Sequence, residues 1–263
     1  MRKPLLRWQP EVEGKGVFHF RLKTWGEFED FVREEVLNHD VIWRGQCCAS
    51  WPLESNLDRC LRRMRRARNR MLRMEHLRRF QYSARGRRGA AVARLESEND
   101  WWALGQHYGL ATPLLDWSTS PYVAAYFAFS ETDNAGSSRR AIYHIPKGAI
   151  ARRCERIKTE TQEQKRRQPP LVIEFVEPLS DDNPRLVSQG GLFTRAPDGM
   201  TLNDWAAVTP TSTAWIGKVT LPNRERTTAL KTLNRMNINH LSLFPDLTGA
   251  SHFTNLVLTM PHY

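Results

Sequence analysis

Apolar and polar positions follow two periods along this chain, and the switches between them mark its elements. Val17, Phe18, Phe20 and Leu22 fall among His19 and Arg21, which predicts a short strand. Trp25, Phe28, Phe31, Val32 and Val36 then recur at helical spacing, behind Thr24 as a good N-cap, and predict a helix over 25–38. Val41, Ile42 and Trp43 form a strand that delivers Arg44 and Gly45. Trp51 to Leu53 reads as a turn. Leu57, Leu61, Met64, Met71, Met74, Leu77 and Phe80 give a stripe that predicts one helix over 56–82, with a second near 90–104. Later strands are expected at 141–145, 171–176, 192–194, 214–221 and 241–244. Between and after them, helices are expected around 202–207 and over 224–236, with a short one after Asp246. Short strands with helices concentrated early predict an α+β chain, a single domain over 1–263. A basic helical insertion at about 56–100 follows the Arg44 strand.

The stretch 101–130 organises the rest. The chain is extended at Thr112, because the residue before Pro113 is pushed out of the helical region. Leu114 and Leu115 form a short strand, followed by Asp116, Ser118, Thr119 and Ser120. Pro121 fits the first turn of a helix, with Thr119 or Ser120 as its cap, and 123–129 is almost wholly apolar, so that helix is buried. Hydroxyls and a carboxylate at a helix N-terminus suit an anionic ligand. The plainer reading is that they only cap the helix. Gln106 and His107 upstream favour a functional site. Arg44 has two readings as well: a strand-end arginine with its head in water, or a clamp for phosphate or carboxylate that Gly45 lets approach the backbone.

Charge sharpens the picture. The 263 residues carry a formal net charge of +11, which attracts polyanions. Fourteen arginines lie between Arg59 and Arg94, opposed there only by Glu75. Such a run is usually a solvated face. Here nucleic-acid contact through Arg62, Arg65, Arg66 and Arg73 is weighed equally with it. No run is long enough for a membrane span, and Met1 to Pro10 lacks the apolar core of a signal peptide. The four cysteines have no C-x-x-C spacing, which predicts free thiols in the cytoplasm and no metal.

Gln106-His107-Tyr108-Gly109 followed by Leu114-Leu115-Asp116-Trp117-Ser118 resembles the central signature of the FRG domain family. Trp43-Arg44-Gly45-Gln46 resembles its Phe-Arg-Gly motif, with Trp43 in place of the usual Phe. The stretch 185–193, with Gln189, and Leu243-Phe244-Pro245-Asp246-Leu247 are similar to two later family elements. The order of these blocks also resembles ADP-ribosyltransferases. That resemblance implies NAD as substrate, with Arg44 on its phosphates and Ser118-Thr119-Ser120 beside the nicotinamide. Gln189 then takes the late acidic or amide position, and Glu174, Glu177 or Asp246 could supply a carboxylate. His107 would bind ribose or act as a base, with Asp116 orienting it and Gln106 beside it. The implied setting is a toxin or phage-defence effector acting on nucleic acid or protein. Two other readings stay open: a non-catalytic nucleic-acid-binding protein working through the arginine helix, and a metal-dependent phosphate-handling enzyme using Asp116 and His107.

Overall fold

The computed structural model describes residues 8, 10–12, 16–36, 40–88, 95–131, 137–164, 169–177, 184–208, 215–260 and 263. In chain order its elements begin with β1 (Glu11–Val12), β2 (Val17–Arg21), α1 (Trp25–Phe31, continued by a π turn to Val36) and β3 (Val41–Gln46). Next come α2 (Asn56–Arg63), α3 (Arg70–Ser83), α4 (Glu98–His107), β4 (Leu114–Ser118), α5 (Pro121–Ser130), β5 (Arg139–Pro146) and α6 (Lys147–Glu163). The last are β6 (Glu174–Val176), α7 (Pro184–Ser188), β7 (Gly191–Arg195), α8 (Leu202–Val208), β8 (Ile216–Pro222), α9 (Arg226–Arg235), α10 (His240–Leu243) and α11 (Leu247–Thr259). The class is α+β, as the sequence pattern predicts. The expected loops at 83–91 and 131–140 and the turn at 181–184 lie partly outside the described residues.

The chain divides into two compact units. The first comprises 1–51, 118–152 and 206–263. Its strands run in the order β1-β2-β8-β5-β3. β2 and β8 are parallel, and the other neighbours are antiparallel. One face of this sheet is apolar. Trp43, Ile142 and Val219 on it pack with Trp25, Phe28, Ala124, Phe129 and Leu230 into one buried core. Thr24 caps α1 and Ser120 caps α5, each accepting from the backbone N–H three residues on. Two buried or half-buried arginines close the other end of α5. Arg140 donates to the carbonyls of Ala128 and Glu131, and Arg226 to those of Phe129 and Ser130. Cations suit the negative end of the helix.

The expected strand at 241–244 is instead helix α10. Asn239 caps it by accepting from the Ser242 N–H at 3.1 Å, and Ser242 returns the contact. Four mixed residues carry too little periodicity to separate strand from helix. Within this corner His240 meets the Tyr126 hydroxyl through Nδ1 and stacks on Phe244 and His252. Burial, then the neighbouring His252, lowers its pKa to about 4. Unfolded, the ring titrates near 6.5. The unfolded chain therefore binds more protons between these values, so this contribution is present above pH 6.5 and is lost as pH falls toward 4. Allowing for solvent screening, the loss should be on the order of 1–3 kcal/mol. Urea midpoints across that window should fall for the wild type and fall less for His240→Gln.

The second unit comprises 52–117 and 153–205. Leu57, Leu61, Leu77, Trp102, Leu114, Val176 and Phe193 form its core. β6 and β7 pair antiparallel, and the Trp117 indole donates to the buried Thr194 hydroxyl at 2.8 Å. The single helix expected over 56–82 is two helices, α2 and α3. The break has a local cause: Arg65 adopts φ 58°, and Asn69 caps a new helix by accepting from Leu72 N–H. The chain between them folds around Arg73. That guanidinium is buried against Asp58, lies 3.6 Å from Asp198 and donates to the Ala67 carbonyl. Removing one partner of such a pair leaves a buried charge uncompensated. Arg73→Gln should cost about 3–5 kcal/mol in urea unfolding, against a few tenths for exposed Arg78→Gln.

Candidate functional site: a cationic sheet face and the signature helix end

Arg44 lies inside β3, not beyond its end. Its register partner on β5 is Tyr143, whose partner on β8 is Lys218, whose partner on β2 is His19. Directly paired residues share a sheet face. Arg44, Tyr143, Lys218 and His19 therefore form a row across four strands, on the face opposite the apolar core. The adjacent row is Gln46, Ala141, Thr220 and Arg21. His19 Nε2 lies 2.8 Å from the Thr220 hydroxyl, and the Tyr143 hydroxyl donates to the Trp51 carbonyl at 3.2 Å. Arg139, on the same face, donates to Thr220 Oγ1 at 3.1 Å and to the Leu22 carbonyl at 2.5 Å. Burial, then the charges of Arg21 and Arg224, lowers the pKa of Arg139. Lys218 is buried and Arg44 half-buried. The register thus places Arg44, Lys218, Arg139 and Arg21 on one face of the sheet.

Gly45 points the other way. A Cβ at this position would sit 1.9 Å from the Ala124 carbonyl oxygen and 2.5 Å from the Ala128 nitrogen. Its missing side chain admits the backbone of α5. This corrects the reading of Gly45 as an opening for a ligand. Ser118, at the end of β4, pairs with Trp43 and accepts from the Ser120 N–H at 3.0 Å. Ser120 accepts from Val123 N–H, and Thr119 is exposed. Two of the three hydroxyls therefore shape the entry to α5.

In the second unit Gln106 and His107 are the last residues of α4, which runs past the helix end expected at 104. The helix closes with Gly109 at φ 83°, its N–H to the Gln106 carbonyl and the Leu110 N–H to the Gly105 carbonyl. This is a Schellman end, which favours glycine at that position. The Thr112 hydroxyl donates to Gln106 Oε1, and Gln106 Nε2 donates to both oxygens of Asp116 at 3.0 Å. Gln106 thus ties the signature's two halves together and holds the exposed Asp116 carboxylate in place. Asp116 orients toward Gln106, and capping of α5 falls to Ser120. The His107 ring stands edge-on to exposed Tyr108, 4.7 Å between centroids. Gln189 follows α7, its N–H donating to the Arg185 carbonyl. Asp246 caps α11, and Glu174 accepts from the Asn99 amide at 3.0 Å.

The structure separates the four arginines assigned to nucleic acid. Arg65 and Arg66 are exposed, and Arg62 is exposed but bonded to Glu54 at 2.6 Å. Arg73 is buried in the Asp58 pair, which corrects its assignment to an exposed basic face. Sequence reasoning missed Tyr143, Lys218, Arg139 and His19. A signal was present: polar residues at every second position, His19 and Arg21 in β2 and Lys218 and Thr220 in β8.

Among the described residues no three His, Cys, Asp or Glu side chains are grouped to hold a metal, and no helix is long and apolar enough to cross a membrane. The four cysteines are free thiols. The fold and these motifs define an α+β protein built on a Trp-Arg-Gly strand and a Gln-His-Tyr-Gly helix end. Residues 39–137 match the FRG domain family model. No curated protein and no solved structure matches the chain.

Proposed function

We propose that this chain is an NAD-using enzyme of the ADP-ribosyltransferase or NAD glycohydrolase kind, binding the pyrophosphate of NAD at the Arg44 face. One observation carries the reading: Arg44, Lys218, Arg139 and Arg21 share one face of the first unit's sheet. Strands are spaced about 4.8 Å apart, so Arg44 and Lys218 stand two strands, roughly 10 Å, apart. Long basic side chains at that separation have the reach to meet two linked phosphates. Arginine supplies a planar fork to one phosphate and lysine a compact charge to the other. Holding the pyrophosphate fixes the ribose whose bond to nicotinamide breaks through an oxocarbenium-like transition state. The resemblance in motif order supports the same ligand. Calorimetry with NAD and an assay of nicotinamide release test the reading. Saturable binding with release supports it, and neither binding nor release abandons it.

A further inference from the structure

A second site is carried by a different part of the chain. An open groove of about 860 Å³ lies along the C-terminal half of α3 and the start of α4, lined by Arg78, Arg79, Tyr82, Arg85 and Trp101 among others. Its volume falls within the roughly 300–1,000 Å³ of ligand clefts. Tyr82 is 70 % exposed. The Arg85 guanidinium lies 4.9 Å from the centre of its ring, and that of Arg88 lies 5.2 Å from the Trp101 ring. The one acid of the lining, Glu75, is bonded to Arg79 at 2.7 Å, with both side chains largely exposed. A surface pair of this kind is worth little and yields readily to a stronger anion.

We propose that this groove binds single-stranded nucleic acid, with Tyr82 and Trp101 stacking on bases and Arg78, Arg79 and Arg85 meeting the phosphates. An exposed tyrosine and a half-buried tryptophan, each beside a guanidinium group, match unstacked bases, which offer a π-face and an adjacent phosphate. A duplex keeps its bases stacked inside, so only the arginines could engage it. This inference rests on the second unit and on an oligonucleotide readout, so it stands or falls separately from the NAD reading.

The test is fluorescence anisotropy of the full chain with a labelled oligothymidine, its RNA counterpart and a duplex of equal length. Single strands should bind more tightly than the duplex. Tyr82→Ala should weaken them about five- to a hundredfold, the range of base–aromatic stacking, and Tyr82→Phe should not. Arg78→Gln and Arg85→Gln should each flatten the salt slope by about 0.7. Tyr82 is exposed, so melting should be unchanged in its variants. Equal or tighter duplex binding, or a Tyr82→Ala variant that binds single strands like the wild type, overturns the proposal.

Discussion

Gly45→Ala should destabilise the chain by about 3 kcal/mol or more, the upper end of overpacking costs. The added methyl would fall 1.9 Å from the Ala124 carbonyl oxygen and 2.5 Å from the Ala128 nitrogen. Both are backbone atoms of a buried helix, so no side chain can rotate out of the way. Either β3 leaves α5 or the strand shifts. β3 is bonded to β5 over six paired positions, so a shift would break that ladder too. In a chain of this size the loss corresponds to a fall in melting temperature of roughly 6–12 °C. Thermal melting followed by circular dichroism reads it directly. A variant that melts with the wild type would show that β3 and α5 are not packed backbone to backbone. The same contact gives the Arg-Gly pair a physical meaning. The glycine lets the helix close on one face of β3, and alternation sends the arginine to the other.

That division explains what could be read from the sequence and what could not. Local features were legible. The Thr24 and Ser120 caps, the strand at 17–21 and the buried helix after Pro121 each follow from a few neighbouring residues. Pairing between distant strands was not, and it creates the cationic face. Lys218 and Tyr143 become neighbours of Arg44 only through the β3-β5-β8 register. Charge counting failed for the same reason. Arg73, Arg140 and Arg226 add to the +11 as much as any exposed arginine, yet they lie buried or half-buried against a carboxylate or helix-end carbonyls. The break between α2 and α3 was hidden because the apolar stripe continues through Met64 and Met71, both of which are exposed. In the signature, the sequence pointed to chemistry at Gln106, Asp116 and the hydroxyl block. The structure adds a scaffold role to each: the Gln106 side chain bridges Thr112 and Asp116, and Ser118 and Ser120 shape the entry to α5.

Arg44→Ala should weaken NAD binding roughly 30- to several-thousand-fold, the range for truncating one side of a bonded charge pair in a desolvated site. Arg44→Lys should recover little of it. Lysine keeps the charge but presents a single point instead of a planar fork, and two parallel bonds to one phosphate need the fork. Lys218→Met tests the other half of the proposed clamp. It keeps the length and burial of the side chain and removes the charge, so affinity should fall by a smaller factor than for Arg44→Ala while the fold stays intact. A control is needed because any lost cation lowers the attraction of an anion at long range. Arg63→Gln provides it: Arg63 is exposed on α2, in the second unit, and removes the same unit of charge. Its effect should be small and should vanish as salt is raised, whereas the Arg44 deficit should persist. Calorimetry gives the affinities, melting confirms that each variant folds, and nicotinamide release should fall in step with binding. If Arg44→Ala binds NAD as tightly as Arg63→Gln does, the arginine of β3 is a packing residue with its charge in water, and the NAD reading has lost its only anchor.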